Sequence, residues 1–504
     1  MTLWLTLVIC VRCEKCSQTD TLAVLFFTTF NPVESETRYL DIIEQLDLSR
    51  AGALVMSDHG FKDYTSLSRL IMTQNSLPLL KNSWFRPNNG LEYLDISQNR
   101  IRMLTGVDVE TLQKVKLANF SYNAIETIQK NAFSRMWSLQ VLDLDHNNLK
   151  NIDIGDVPQL KTLSLSNNVI DIIPSNGFSG MPMLQELVIT YNPIRKIEDR
   201  AFLGLTRLKV LNLSANSIEE IRRHNFVGLS RVRLNKLDLN SNNIRFIEPS
   251  GFEELPFLQT LDLSRNSINE VNENTFKGLR SLRHLYLYEN DIDTIGDYAF
   301  ANLQALEILY LSGNNLRYLN PKMFGTSLPK LKKFFVMKNS LAELDPSIFL
   351  AAPNIYFLSF GYNEITHLPD NIFVPLRKLT KLHMQKNLIE ELTPNFVGSL
   401  DTLQEFLIDH NKLTFIPDSN NTFSHLVKAH IEGNPWQCPC LDEIMEFLVK
   451  QNIQFRKTYY FDGRRPVCVA TPSRFCVKNM DFVRRQKIVE LYKDTKPNSQ
   501  EDVL

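Results

Sequence analysis

The chain has 504 residues, with 55 Lys and Arg against 56 Asp and Glu, a formal net charge of -1 at pH 7, and 43% apolar residues. So even a balance excludes a general electrostatic pull towards nucleic acid or anionic lipid, and neither is expected as a partner. The seven cysteines fall in two groups, Cys10, Cys13 and Cys16 at the start and Cys438, Cys440, Cys468 and Cys476 near the end. That segregation suggests disulfides closing the ends of an array, and hence an oxidising compartment.

Met1 to Val11 is an apolar run too short to span a bilayer but long enough for the core of a signal peptide, although it lacks a leading positive charge. The signal segment is placed at residues 1–13, with the cut anywhere from 10 to 16. A cut after Cys10 leaves Cys13 and Cys16 as a pair, and a cut after Cys13 leaves Cys16 odd. Residues 17–42 are expected to form an N-terminal cap, with a strand at Leu22 to Phe27 shielding the first rung. No later segment reaches 18 apolar residues and the terminus is polar, so neither a membrane span nor a lipid anchor is expected.

From Ile43 the order Leu-x-x-Leu-x-Leu-x-x-Asn-x-Ile/Leu recurs at about 24 residues, most cleanly at Leu258, Leu261, Leu263, Asn266 and Ile268 and again from Leu282 and Leu306. A Phe follows 18 residues after each first Leu, at Phe276, Phe300 and Phe324. A fixed period of this length marks a solenoid, and the pattern is that of a leucine-rich repeat. Side chains alternate along a short strand, so Leu261 and Leu263 face inward while Thr260, Asp262 and Ser264 face outward. One repeat cannot cover its own apolar face, and stacked neighbours must do so. The Asn amide, with two donors and an acceptor, suits a position where the chain leaves the strand beside the next rung.

Sixteen repeats are read over 43–425, the first carrying Ala51 in place of Asn. Spacing departs from 24 after Leu139, Leu208, Leu306 and Leu403, and these changes are expected to fall in loops without breaking the strand ladder. The other side is expected to be irregular, with Phe85, Phe133, Phe178, Phe202, Phe226, Phe252, Phe276, Phe300, Phe324, Phe349 and Phe373 as a buried spine. The expected fold is an α/β solenoid: a leucine-rich repeat horseshoe with a parallel concave β-sheet, an irregular convex side and a disulfide-bonded C-terminal cap.

A partial rung at Leu426 to Trp436 runs into Cys438-Pro439-Cys440 and a helix expected over Leu441 to Gln451. Asn434-Pro435-Trp436-x-Cys438-x-Cys440-Leu441, with Cys468 and Cys476 following, resembles the C-terminal cap of extracellular leucine-rich repeat proteins. Toll-type receptor ectodomains, Slit-like guidance proteins and insect leucine-rich immune proteins share it. The resemblance implies the pairs Cys438–Cys468 and Cys440–Cys476, whereas spacing alone leaves three pairings open. Pro439 stands where those families commonly have Asp. The cap is placed at 426–478, and 479–504 is read as a short helix, Met480 to Tyr492, and a polar tail.

The outward position between the second and third core residues of each rung turns from acidic (Asp95, Asp143, Asp238, Asp262) to aromatic (Tyr286, Tyr310, Phe335). With Tyr288, Ile308, Met337 and Phe357 beside them, these aromatics are read as a partner-binding patch on the concave face. Sequons stand at Asn119, Asn212 and Asn420, and glycans on the first two would obstruct the N-terminal half of that face. The acidic positions, with Asp145, are read as a solvated strand face, since no spacing fixes a catalytic or metal-binding set. His383, His410 and His430 are read as surface histidines, with a pH-sensitive contact as the alternative. Neither catalysis nor a cofactor is expected.

The function expected is that of a secreted, extracellular protein-binding module taking a protein ligand or co-receptor on the concave face. The resemblance implies recognition in innate immunity and admits a homo- or hetero-dimer. A matrix or adhesion protein, or a receptor ectodomain lacking its membrane segment, are the alternatives.

Overall fold

The computed structural model describes residues 37–54, 56, 58–86, 90–417, 423–456 and 467–494. The signal segment expected at 1–13, the three N-terminal cysteines Cys10, Cys13 and Cys16, the strand expected at Leu22 to Phe27, and the sequon Asn420 lie outside the described residues. The chain divides into two units at Gln259/Thr260, and each is a parallel-strand solenoid.

In the first unit the rungs are Gln45–Asp47, Arg69–Ile71, Tyr93–Asp95, Leu117–Asn119, Val141–Asp143, Thr162–Ser164, Glu186–Val188, Val210–Asn212 and Lys236–Asp238. Each pairs in parallel with the next, with like positions opposed. The shortened repeat still pairs Val141 with Thr162, and the lengthened one pairs Val210 with Lys236. Spacing changes are therefore absorbed away from the strands.

In the second unit the rungs are Thr260–Asp262, His284–Tyr286, Ile308–Tyr310, Lys333–Phe335, Phe357–Ser359, Lys381–His383, Glu405–Leu407 and Lys428–His430. They too pair in parallel and in register, including Ile308 with Lys333 and Glu405 with Lys428 across the two altered spacings. The middle residue of every rung is buried, as the strand period of two requires.

The Asn positions tie one rung to the next. Asn290 Nδ2 donates to Leu263 O (3.0 Å) and Leu287 O (3.1 Å), while its Oδ1 accepts from Ile268 N (3.2 Å). Asn99 does the same with Met72 O, Ile96 O and Leu77 N. One side chain thus satisfies three buried backbone groups where no strand partner reaches them. The residue just before the Asn has a positive φ, as at Gln98 (55°), Tyr122 (53°) and Glu289 (54°), so the chain turns sharply there without needing glycine.

Behind the strands every expected spine Phe is buried. Successive rings stack, as in Phe178–Phe202 (6.0 Å) and Phe202–Phe226 (5.9 Å) in the first unit and Phe276–Phe300 (6.0 Å) in the second. Phe61 and Phe396, outside the expected list, extend the pattern by contacting Phe85 and Phe373. This side is more ordered than expected, because pairs of two-residue strands run along it, such as Met103–Leu104 with Thr127–Ile128 and Glu270–Val271 with Thr294–Ile295. A short α-helix, α1 (Pro394–Gly398), interrupts the pattern, capped where Thr393 Oγ1 accepts from Phe396 N (3.1 Å), and a 3-10 turn stands at Asn82–Trp84.

Helix α2 spans Cys438–Lys450, three residues earlier than expected, because Pro439 in the first turn gives up no hydrogen bond there. Disulfides join Cys438 to Cys468 and Cys440 to Cys476. Trp436 is fully buried and its Nε1 donates to Ile431 O (2.8 Å), and Gln437 Nε2 donates to Val477 O (2.9 Å). Helix α3 (Phe482–Asp494) packs Ile488 and Tyr492 on Val469. It also returns to the repeats, with Arg485 paired to Glu391 and Gln486 Nε2 donating to Glu390 Oε1 (3.1 Å).

Candidate functional site

Strand register builds one column along each unit's sheet. In the first unit Asp47, Ile71, Asp95, Asn119, Asp143 and Ser164 stand side by side, and Val188, Asn212 and Asp238 follow. The acidic members have a structural task. Asp47, Asp95 and Asp143 each accept, through Oδ1, the amide N–H two residues on, at 2.9, 3.0 and 2.9 Å. Asn119 and Asn212 do likewise with Ser121 and Ser214. Burial pushes the Asp143 carboxyl up, against the Asp145 amide that donates to it, with the Asp145 and Asp95 carboxylates adding smaller pushes upward. These carboxylates close the turn out of each strand. Asp238 is buried rather than solvated, because Lys236 Nζ lies over it at 3.0 Å.

In the second unit the column runs Asp262, Tyr286, Tyr310, Phe335, Ser359, His383, Leu407, His430. Tyr286 stacks on Tyr310 (5.2 Å, 21°) and Tyr310 on Phe335 (4.2 Å, 4°). Phe335 meets the edge of Phe357 at 4.9 Å, and Phe357 meets His383 at 4.8 Å. Rungs spaced about 4.8 Å apart bring identical column positions to ring-stacking distance, so a run of aromatics becomes a ladder. Tyr288 stands edge-on to Tyr286 and Tyr310.

Tyr286, Tyr288, Tyr310, Phe335 and Met337 line a hollow of ≈ 430 Å³ rimmed by Glu289, Ser312 and Lys338. Ile308 and Phe357, expected in the same patch, lie outside its lining, although both are half-buried, Ile308 on the rung of Tyr310 and Phe357 on the rung after Phe335. All seven aromatic-patch residues are half-buried rather than fully exposed, because the rings cover one another. On this surface burial also pushes the Tyr310 phenol up, with Tyr286 and Tyr288 adding to it, which keeps that hydroxyl uncharged at neutral pH. Its chemistry is that of an apolar stacking platform.

Further along the column the expectation of outward exposure fails. Ser359, Leu407 and His430 are buried. His383 lies 3.3 Å from Glu405 Oε1 and under Phe357, and burial lowers its pKa. His430 is lowered by burial and then by Arg456. His410 pairs its Nδ1 with Asp409 Oδ2 at 2.9 Å. Phe357 on the adjacent rung covers His383, which the alternating pattern by itself does not reveal. Asp409 and Glu432, two residues beyond Leu407 and His430, were missed among the sequence candidates, although the same alternation extends to them.

The leucine-rich repeat family model matches residues 103–149, 154–194, 182–234, 232–292, 285–327 and 329–389, and the chain belongs to that family. A leucine-rich repeat protein of Leptospira interrogans is similar in structure, with a TM-score of 0.63 and 22% identity, covering 84% of this chain and 99% of that one. Toll in the Toll–Spatzle complex of Drosophila gives 0.58 and 18%, covering 73% of this chain and 51% of that one. The ectodomain of the plant membrane receptor kinase GASSHO1/SCHENGEN3 of Arabidopsis thaliana, in complex with Casparian strip integrity factor 2, gives 0.55 and 19%, covering 82% and 50%. The chain therefore spans about half the length of those two receptor structures. No curated protein sequence matches it. Among the described residues, no helix is long and apolar enough to cross a membrane.

Proposed function

We propose that this chain is a secreted leucine-rich repeat protein that binds a protein ligand on the sheet face of rungs eleven to fourteen, in extracellular recognition of the kind used in innate immunity. The observation that carries this is the stacked ladder Tyr286–Tyr310–Phe335 beside its apolar hollow. Aromatic rings held rigid by their neighbours offer large contact area with little entropy left to lose, which is the usual composition of an interface's energetic centre. Two C-terminal disulfides fit an oxidising compartment. The structural likeness to Toll in the Toll–Spatzle complex and to a plant receptor ectodomain, both in complex with protein partners, supports a protein as the ligand class. Asn119 and Asn212, on the sheet face of the first unit, are proposed glycan acceptors.

The test is capture of ligand from extracellular fluid by wild type, by the triple variant Tyr286→Ala, Tyr310→Ala, Phe335→Ala, and by Trp137→Ala, which removes an exposed aromatic elsewhere. The proposal requires that the triple variant alone lose the ligand while keeping its circular dichroism. Retained capture by a folded triple variant contradicts it. A mass decrease on glycosidase treatment that becomes smaller by one glycan with each of Asn119→Gln and Asn212→Gln tests these two sites.

A further inference from the structure

The last two rungs place two carboxylates face to face. Ile408 N donates to His430 O (2.9 Å) and His410 N to Glu432 O (2.8 Å), so Asp409 stands opposite Glu432 on the side of the sheet that carries His430. All three side chains are more than nine-tenths buried, at 5%, 2% and 7% exposure. One ligand atom from each of Asp409, His430 and Glu432 lies within 4.8 Å of the other two. Like charges directly opposed on adjacent strands destabilise a sheet, and burial makes the opposition costlier.

The available partners answer only part of this. Arg456 reaches Glu432 Oε1 at 3.3 Å and His410 reaches Asp409 Oδ2 at 2.9 Å. Glu432 Oε2 is buried without a hydrogen-bond partner. A buried carboxylate oxygen left without a hydrogen bond, on a residue grouped this closely with a second carboxylate and an imidazole, has one simple remedy in chemistry, a cation with vacant coordination positions.

We propose that Asp409, His430 and Glu432 form a binding site for a divalent transition-metal ion of the Zn²⁺ class. One imidazole and two carboxylates make a borderline donor set that suits Zn²⁺ and its neighbours in the first row better than Ca²⁺ or Mg²⁺, which take oxygen alone. Three protein ligands leave a fourth position for water or for a group on a partner. Zn–N and Zn–O bonds of about 2.0–2.2 Å draw the donors closer than 4.8 Å, a movement within side-chain reach. Because Asp409 follows one rung and His430 and Glu432 belong to the next, the ion would lock the last two rungs together.

The experiment uses the full disulfide-bonded chain and Co²⁺ alone as a spectroscopic stand-in for Zn²⁺. The proposal predicts about one equivalent of bound Co²⁺ with d–d absorption in the visible, displaced by Zn²⁺. Glu432→Gln and His430→Gln should each weaken Co²⁺ binding more than about tenfold, whereas Glu219→Gln, an exposed carboxylate elsewhere, should not. If one of the two isosteric variants fails to fold, the other carries the same reading. Absence of bound Co²⁺ in the wild type overturns the proposal, as does wild-type affinity in either folded variant.

Discussion

At the scale of the residue, polar side chains decide where this backbone can turn. Asn314 donates through Nδ2 to Leu287 O and Leu311 O, and its Oδ1 accepts from Ile292 N, all within 3.0 Å. Asn314→Leu is expected to cost about 3 kcal/mol or more, since each buried group left unpaired costs about 1–3 kcal/mol; chemical denaturation measures it, and a cost below about 1 kcal/mol would contradict the role. Glu405 sets a pH dependence. Burial alone would raise its carboxyl, but Lys428 Nζ at 2.7 Å, Lys381 Nζ at 3.1 Å and His383 outweigh burial and hold it at about 2. A depressed carboxyl stabilises the fold above its unfolded pKa near 4.5, and the contribution is lost as pH falls towards about 2. Wild type should therefore exceed Glu405→Gln in stability at pH 7, by about 3 kcal/mol at most, with the gap closing by pH 2. His383 runs on the same sign at higher pH. With its pKa lowered by burial, it must charge on unfolding, so stability falls as pH drops below its ordinary value of 6.5. Unfolding curves of His383→Gln should show a smaller loss between pH 7 and 5 than wild type.

At the scale of the element, the strands and the Phe spine were legible because each obeys a short-range rule: alternation for Leu261 and Leu263, a fixed offset for Phe276 and Phe300. Phe300, fully buried between Phe276 and Phe324, is expected to cost about 3–5 kcal/mol on change to Ala. Hydrogen exchange should localise the loss to its neighbouring repeats, because a solenoid transmits contacts only to nearest neighbours. Other features were not legible. The positive φ at Tyr122, His146 and Lys338 lies on residues with no glycine signature, and tertiary repetition rather than local preference imposes it. The two-residue strands on the far side depend on pairs such as Glu270 with Thr294, and two residues are too few for any periodicity to be read. The burial of His383 and His430 depends on side chains one rung away, a distance of about 24 positions in sequence, where no local pattern reaches. In the cap, removing the Cys438–Cys468 disulfide should cost about 2–5 kcal/mol, read as earlier exchange of α2 and of Trp436 than of the rungs before them.

At the scale of the molecule, one repeated column position performs different tasks along the chain. In the first unit it carries Asp and Asn that close turns, and in the second it carries stacked aromatics followed by buried titratable groups. The sequence exposed the switch from Asp262 to Tyr286, but not the hollow, whose lining depends on Tyr288 and Met337 turning towards the ladder while Ile308 and Phe357 stay outside it. The proposed docking site for a protein ligand is this aromatic stretch. Hydroxyl-radical footprinting of the chain with its captured ligand tests it most directly. Oxidation of Tyr286, Tyr310, Phe335 and Met337 is expected to fall on ligand binding while Trp137 and Tyr191 stay as reactive as in the free chain; unchanged oxidation at the ladder, with protection elsewhere, would rule the site out.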